Sequence, residues 1–491
     1  MTFPILSVII FTPLVAALIL LMMPADRKTE IRMTALVSAA FALILSLWVF
    51  LSYDQAAAGY QFIEKYAWLP QFGISLHLGV DGISAPLVLL TGVVMFTGVI
   101  ISWGIDDRPR EFFAFLFILA SGVFGVFVAL DLFMLFFFYE IAVFPMYLLI
   151  AIWGWVKTRE YAAMKLTLYL FIGSVISLVG ALAMYFNSGM GTFDMLLLET
   201  ANFSVEFQQI WFLPVFMGFA VLGGIFPFHN WSPDGHVAAP TAVSMFHAGV
   251  LMKLGAFAAL RVGIMLLPAG AVFWQPLIFA LATVNVVYGA FIAMTQTDLK
   301  YMIGFSSVSH MGLVMLGFAT LTPNGMTGAG VQMFSHGAMT ALFFAATGMV
   351  YDRAHTRQIP ELGGMFKALP YVGVTFIIGG LVSMGMPGFS GFVAEFPIFM
   401  GVWEYVPWVA ILAVISIVIT AAYIMLAIRR TFFGEMPKEF EGHIGPISVM
   451  DKVALTLLSA LMIGLGMFPA VMVPMVQTGM QHVIEILKVV K

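Results

Sequence analysis

Long apolar runs, separated by short polar segments, repeat along nearly the whole chain. A helix needs roughly 20 residues to cross the hydrocarbon core of a bilayer, and each run is about that long. We therefore predict an all-α polytopic membrane protein with fourteen spans, near residues 3–23, 33–53, 82–104, 112–130, 132–154, 164–186, 211–232, 239–263, 273–295, 301–321, 328–350, 370–400, 408–428 and 452–474. The longest polar segment, residues 54–77, is expected to be an ordinary external loop.

Two of these spans are interrupted by glycine and proline. GGIFPFHNW contains Pro227 in span 7, and SMGMPGFSGFVAEF contains Pro387 in span 12. Proline breaks the helical hydrogen-bond ladder, and a broken helix at membrane depth survives only inside protein or beside water. Paired breaks also indicate an inverted duplication. We predict one membrane domain over residues 1–491, with a first inverted repeat at 112–263 and a second at 273–430.

The basic residues are distributed unevenly between the two sides of the predicted helices. The chain has 21 Lys and Arg, of which sixteen, including Lys165 and Lys300, fall in loops after odd-numbered spans, and Lys253 falls inside span 8. The other side has only Lys65, Arg261, Lys488 and Lys491. Because cytoplasmic loops are rich in Lys and Arg, this asymmetry predicts that both termini lie on the non-cytoplasmic side.

Composition excludes several kinds of site. The chain is 62% hydrophobic, 9% charged and free of cysteine, so thiol catalysis, disulfides and thiolate-bound iron–sulfur or zinc sites are excluded. No phosphate-binding loop, dinucleotide fingerprint or haem-attachment motif occurs, and no two histidines have i, i+4 spacing with a carboxylate. We therefore expect no metal or cofactor in this chain.

Two ionisable residues lie near the middle of predicted spans. Glu140 is about midway through span 5, and Lys253 is near the middle of span 8. Such residues are costly in a bilayer and usually functional. Burial disfavours the charged form of either side chain, so each can exchange a proton when a partner moves. The structural alternatives are a neutral Glu140 hydrogen-bonded between helices and a Lys253 ion-paired with Glu140 or another acid.

Three further candidates lie in the second half of the chain. His310 and His336 are on neighbouring spans with hydroxyl residues beside them, and histidine titrates close to neutral pH. Glu395 follows the Pro387 break and would end a polar path toward the outside. The alternatives are histidines that are merely hydrogen-bonded core residues, and a carboxylate that stabilises a half-helix N-terminus.

Four other polar residues lie in or near the first break. His229, Asp234 and His236 are expected to be hydrated by a cavity there. His247, six residues before Lys253, is expected on a different face of its helix and could serve either repeat.

Four motifs together resemble one family. They are FPFHNWSPDGHVAAPTAVSMFHAGVLMKLGAFAALR, QTDLKYMIGFSSVSHMG, QMFSHGAMTALFFAATGMVYDR and SMGMPGFSGFVAEF, and the likeness runs over residues 78–433. They resemble the proton-conducting membrane transporter family, which includes the antiporter-like subunits of complex I-type NADH:quinone oxidoreductases.

The resemblance implies a fourteen-helix core with two inverted five-helix repeats in a bacterial plasma membrane. It also implies a hydrated proton path through Glu140, Lys253, His310, His336 and Glu395. NADH, FMN, iron–sulfur clusters and quinone are then expected in partner subunits, and the partners include antiporter-like neighbours.

The chain departs from the family at three positions. The family's lysine seven residues before the histidine of span 7, which pairs with the span 5 glutamate, is Leu222 here. The family's usual alanine and glutamate in this stretch are Gly235 and Ala238. Glu140 therefore lacks its usual cation, and either another base, such as Lys253, serves it or the input half is degraded.

Three functions follow from these residues. The first is a proton-translocating subunit of a complex I-type oxidoreductase. The second is the equivalent subunit of a multisubunit cation/proton antiporter or membrane-bound hydrogenase. The third, which Leu222 suggests, is a structural subunit that holds a membrane arm together without pumping.

Overall fold

The computed structural model describes residues 3–57 and 59–490, so Lys491, one of the basic residues counted above, lies outside the described part. The described part of the chain is mostly helical. In chain order the helices are α1 (Ile5–Met22), α2 (Lys28–Ser52), α3 (Ser84–Ile101), α4 (Pro109–Val128), α5 (Leu132–Trp153), α6 (Arg159–Ser188), α7 (Met195–Leu198), α8 (Val205–Leu222), α9 (Trp231–Ala238), α10 (Thr241–Phe246), α11 (Met252–Ala258), α12 (Pro268–Thr295), α13 (Leu299–Ala319), α14 (Pro323–Ala354), α15 (Pro370–Ser383), α16 (Ser390–Tyr405), α17 (Pro407–Phe432), α18 (Val449–Met467) and α19 (Val473–Val490).

Thirteen helices in residues 3–57 and 59–490 are long and apolar enough to cross a membrane. One of them, Thr241–Ile264, is continuous through α10, a π-helical turn at His247–Leu251, α11 and a second π-helical stretch. The remaining predicted span, 370–400, corresponds to α15 and α16, and each of these is too short to cross alone. The chain is therefore a multi-pass membrane protein.

Both predicted breaks are present. At the first, α8 ends at Leu222 and α9 begins only at Trp231. Gly224 turns the chain with a φ of +71°, a conformation that glycine adopts without steric cost. At the second, α15 ends at Ser383 and α16 begins at Ser390. The inverted duplication that these paired breaks suggest remains a prediction.

Asn285 of α12 satisfies the backbone of the first break. Its side-chain oxygen accepts a hydrogen bond from the N–H of Phe226 at 2.8 Å, and its amide donates to the carbonyl of Gly224 at 3.2 Å. Asn285 is fully buried. Since backbone groups in a bilayer need partners inside the protein, this side chain allows the helix to be interrupted at membrane depth.

The most deeply buried spans form the centre of the bundle. The apolar windows of Thr241–Ile264 and α14 are 100% buried, and that of α13 is 94% buried, whereas only a third of the window is buried in α17 and α18. Side chains on the three central helices are therefore shielded from lipid by the protein itself.

Residues 54–77 are not the ordinary loop that the sequence predicted. Gln61–Leu69 (β1) and Ile74–Val80 (β2) form an antiparallel hairpin. The Glu64 carboxylate in β1 accepts hydrogen bonds from the N–H groups of Leu6 and Ser7, at 2.8 and 3.0 Å, in the first turn of α1. The hairpin thus satisfies backbone donors that a helix leaves free at its N-terminus.

Asp194 ties the same hairpin to the loop before α7. His77 and Lys65 contact one oxygen of this carboxylate at 3.0 and 2.7 Å. Burial alone would raise the pKa of Asp194, but these two partners lower that pKa to about 2. The carboxylate therefore stays ionised at neutral pH.

The C-terminal region differs from the prediction as well. The last predicted span, 452–474, corresponds to α18, which ends at Met467, and a further helix follows it. This helix, α19, packs against α12 and α14 with one face and leaves residues such as Lys488 exposed on the other. Its polar face kept it from being recognised among the apolar runs.

Two of the basic residues that were assigned to loops are buried in ion pairs instead. Arg261 pairs with Asp81, and Arg357 Nε lies 2.6 Å from Asp298 Oδ2. All four side chains are less than a tenth exposed. The orientation of the termini remains a prediction, but these residues contribute to packing rather than to a loop charge.

We predict that Asn285→Leu destabilises the protein through the first break. The substitution leaves the Phe226 N–H and the Gly224 carbonyl without their side-chain partner, and a buried unsatisfied polar group costs about 1–3 kcal/mol. The measurement is the melting temperature of the detergent-solubilised protein. The control is Asn324→Leu, which changes an exposed asparagine in the same way. Equal melting temperatures for the two variants would contradict this role.

Candidate functional site

Lys253 lies at the centre of the bundle. It is on α11, its side chain is fully buried, and its ammonium donates a hydrogen bond to the carbonyl of Ala248 one turn earlier. No carboxylate lies within ion-pair distance of it in residues 3–57 and 59–490. The ion pair considered as its structural alternative is therefore not formed in the described part of the chain.

His310, His336 and Glu395 come together beside Lys253. The His310 ring of α13 stacks on the His336 ring of α14, with centroids 5.2 Å apart and planes 8° apart. His310 Nε2 lies 3.5 Å from Glu395 Oε1 on α16, and all three side chains are buried. Both histidines interact electrostatically with Lys253. Three of the five predicted residues, His310, His336 and Glu395, therefore form one connected group, and the Lys253 charge is close enough to act on the two histidines.

Neutral side chains position the Glu395 end of this group. The amide of Gln332 on α14 donates to Glu395 Oε1 at 3.2 Å. On the other side, the Tyr423 hydroxyl donates to Ser306 Oγ at 2.8 Å, and Ser306 Oγ lies 3.4 Å from His310 Nδ1. The group is held by hydrogen bonds to uncharged residues, which leaves its net charge free to change.

The second break reaches this group directly. His310 Nε2 is 3.3 Å from the carbonyl of Ser383, the last residue of α15. Gly385 has a φ of +61°, and a Cβ there would lie 2.7 Å from Glu395 Oε2. Glu395 is six residues inside the start of α16 and does not cap it, so the capping alternative is not what the structure shows.

The first break brings a second set of histidines together. The His236 ring of α9 lies 4.0 Å, centroid to centroid, from that of His247, and Ser232 Oγ is 3.0 Å from His236 Nε2. His229 is buried against Phe226 and Tyr288. The sequence placed His229 and His236 beside the break but not the His236–His247 contact, which joins two segments of the chain.

Glu140 lies in the middle of α5, where the sequence placed it, but its side chain is not buried as expected. It is exposed on the outer face of α5, together with Phe137 and Phe144, which are 42% and 65% exposed. Its carboxylate lies beside Ser174 of α6, and no ion pair to it is formed in the described ranges. Residues 137, 140 and 144 share one helix face, and this face points away from the bundle.

Leu222, in place of the family's lysine, ends α8 and is fully buried. A cation that contacts the helix after the first break is Lys165 of α6, which was counted as a loop residue. Its ammonium lies 2.7 Å from Asp234 Oδ2 on α9, and the Tyr301 hydroxyl donates to the same carboxylate at 3.2 Å. Lys165 is therefore committed to Asp234 rather than to Glu140.

Lys300 is the residue that sequence reasoning missed. It is only 4% exposed, and its ammonium donates to the Ala239 carbonyl at 2.8 Å and to Ser244 Oγ at 3.3 Å. It lines a cavity of about 570 Å³, together with Trp155, Asp352 and Arg357. A lysine two residues after a helix-capping aspartate has the pattern of a loop charge, so only the packing reveals its burial.

The chain matches known proteins over most of its length. The family described as NADH:quinone oxidoreductase/Mrp antiporter, TM, matches residues 129–420. NAD(P)H-quinone oxidoreductase chain 4-2 of Synechocystis sp. is 39% identical over 440 residues, which cover 88% of this chain and 78% of that protein. NADH-quinone oxidoreductase subunit M of Rhodobacter capsulatus is 36% identical over 499 residues, which cover 98% of this chain and 96% of that protein.

Solved structures share the fold. A chain of respiratory complex I from Thermus thermophilus with bound NADH aligns with a TM-score of 0.90 and 27% identity, over 98% of this chain and 99% of that chain. A chain of the Mrp complex from Dietzia sp. aligns over all of both chains with a TM-score of 0.88, and its 19% identity supports the fold alone. The chain belongs to the membrane subunit family shared by NADH:quinone oxidoreductases and Mrp antiporters.

Proposed function

We propose that this chain is the antiporter-like, proton-translocating membrane subunit of a complex I-type NADH:quinone oxidoreductase, equivalent to subunit M or chain 4. The observation that carries the proposal is the buried, connected group of His336, His310 and Glu395, with the buried ammonium of Lys253 close enough to act on both histidines. The relatives that are 36–39% identical and named as chain 4 or subunit M support the choice of complex.

In this function the chain carries no redox centre. NADH, FMN, iron–sulfur clusters and quinone belong to partner subunits, and this subunit takes part in the enzyme as a proton translocase. We place it in the bacterial plasma membrane with both termini on the non-cytoplasmic side, because the basic loops lie on the opposite side.

The proposed route for protons runs from Lys253 to Glu395. Lys253 has no acidic partner in the described chain, and low-dielectric surroundings disfavour an isolated buried charge. Release of its proton removes this charge and is therefore favoured. His336 and His310 can each take up and release a proton, and Glu395 receives it beside the second break. A redistribution of charge in a neighbouring subunit would shift this equilibrium, since a ligand or field acts only by stabilising one state over another.

The outward position of Glu140 supports a neighbouring subunit at this face. A carboxyl group toward lipid at mid-membrane is costly, so such residues face protein or water. We propose that another membrane subunit of the assembly covers the Phe137, Glu140 and Phe144 face and brings the cation that Leu222 does not supply.

Two alternatives remain distinguishable. An Mrp-type antiporter belongs to the same family and shares the fold, but the relatives that are 36–39% identical are named as oxidoreductase subunits. A structural, non-pumping subunit is favoured by Leu222 and by the separation of Glu140 from the central group. It differs from the proposal in one respect: it does not need Lys253 or Glu395 for translocation.

We predict that Lys253→Ala and Glu395→Gln lower proton translocation in inverted membrane vesicles about tenfold or more, because positioned proton-transfer groups contribute on the order of 10²–10⁴ in rate. Acidification and electron transfer are measured separately. The matched controls are Lys438→Ala and Glu439→Gln, two exposed neighbours that should leave acidification unchanged. Unchanged acidification in both central variants, with normal assembly, would identify a structural subunit.

We predict that Leu222→Lys shifts the acid limb of the pH–turnover profile to lower pH. Glu140 lies beside Ser174 of α6, and the adjacent Gly173 packs against Val221 of α8, so a lysine at 222 can reach that region. The new ammonium would stabilise the Glu140 carboxylate, which then stays ionised at lower pH. Leu222→Met is the control, because it has a similar length without the charge. A profile that does not move, or that moves equally with methionine, would count against a missing cation.

We predict that p-benzoylphenylalanine in place of Phe144 cross-links to another membrane subunit when the native complex is illuminated. The control is the same replacement at Phe136, which is 6% exposed on the same helix and should cross-link only within the chain. Cross-linking of the Phe144 variant to lipid alone would show that this face has no protein neighbour.

A further inference from the structure

His247 is a buried titratable residue that the proposed proton path does not use. It is fully buried at the end of α10, where the helix changes to a π-helical turn. Its ring stacks on Trp231 at 5.0 Å and lies 4.0 Å from the ring of His236. Neither ring nitrogen has a hydrogen-bond partner among residues 3–57 and 59–490. A histidine that only filled the core would normally have its nitrogens satisfied.

The chain has room for this ring because residue 235 is glycine. A Cβ at Gly235 would lie 2.8 Å from His247 Cε1 and 3.4 Å from His247 Nδ1. A carbon–carbon distance of 2.8 Å is shorter than real Cβ contacts allow, so an alanine at 235 would force the ring to move. Gly235 is also one of the three departures from the family pattern, where alanine is usual. The glycine and the histidine therefore fit each other.

His247 lies between His236 and Lys253. The Lys253 ammonium reaches back along the helix to the carbonyl of Ala248, the residue after His247. The Lys253 charge interacts with His247, and His236 interacts with both of them. Lys300, which lines the cavity of about 570 Å³, donates a hydrogen bond to Ser244 Oγ at 3.3 Å, and Ser244 Oγ donates to the backbone carbonyl of His236 at 2.8 Å. These four groups form a series from that cavity to Lys253.

The elements around the turn leave few other charges near His247. The His247–Leu251 turn packs against α3, α10, α11 and α14. Of these, α3 and α10 have no titratable residue, α11 contributes Lys253, and α14 contributes His336, which interacts with His236 and Lys253. His236 comes from α9, and Lys300 from α13.

We propose that His247 is a further proton-carrying residue that, with His236, passes protons between the Lys300 cavity and Lys253. The proposal rests on the proposed function and extends its path toward the face with the basic loops. At each transfer one N–H bond breaks and one N–H bond forms, so His247 accepts a proton on one ring nitrogen and releases one from the other. His247 gives the chain an ionisable group near the first break, where Leu222 replaces the family's lysine.

The experiment uses the native complex in inverted vesicles, with assembly, thermal stability, electron transfer and acidification measured for each variant. His247→Leu removes the ionisable ring, and His247→Gln keeps polarity without a group that titrates near neutral pH. Gly235→Ala keeps the histidine but displaces it. Met245→Leu, a change at a buried neighbour in α10, is the matched control.

We expect both His247 variants to assemble, with stability equal to or above that of the parent, and to translocate protons several-fold more slowly with a flatter pH profile. Gly235→Ala should show a milder form of the same defect, and adding it to His247→Leu should cause no further loss of translocation. Met245→Leu should match the parent.

Normal translocation and an unchanged pH profile in the His247 variants would overturn the role of His247. If Lys253→Ala still lost translocation, the proposed function would stand without it, and if Lys253→Ala also pumped normally, the proposed function itself would fail. Loss of assembly in His247→Leu, His247→Gln and Gly235→Ala alike would assign His247 a structural role and would equally overturn the proposal.

Discussion

The cost of placing a charge in hydrocarbon shapes this whole structure. Lys253 has no acidic partner in the described chain, and such a group is tolerated only where protein replaces lipid on every side. Its own span, Thr241–Ile264, and the spans α13 and α14 are the most buried in the bundle. The outer helices shield the centre from lipid, which allows a few ionisable side chains to remain there.

The two interruptions follow from the same constraint. A break exposes backbone donors and acceptors, and each break here has a side chain that meets them: Asn285 at the first and His310 at the second. Asn285 is neutral, whereas His310 can gain or lose a proton. A change in the protonation of His310 therefore alters the hydrogen bonding of the α15 terminus as well as the charge beside Glu395. In the proposed proton path, transfer through His310 is thereby coupled to the local backbone structure at the second break.

Hydropathy was enough to predict the spans and the breaks, because apolar length and the Gly–Pro interruptions are local properties of the sequence. It could not tell which side of a span faces the bundle. In a bilayer, lipid and protein core are equally apolar, so α5 is apolar around its whole circumference and carries no signal that Glu140 points outward. The burial of Lys300 was missed for a different reason. A charged residue at the start of a helix usually belongs to an exposed loop, but packing buries Lys300. The β1–β2 hairpin and α19 have polar faces and depend on contacts far along the chain.

The outward glutamate has a consequence for how the molecule is made. While the chain is alone in the membrane, the acidic face of α5 lies against fatty-acid tails, and the neighbouring subunit that we propose for this face would remove that penalty on docking. On this proposal, the newly inserted subunit is least stable before it joins the larger assembly. This difference in stability favours assembly over the free subunit. A copy without partners exposes a polar group to the cell's quality-control proteases, and the finished complex buries that group.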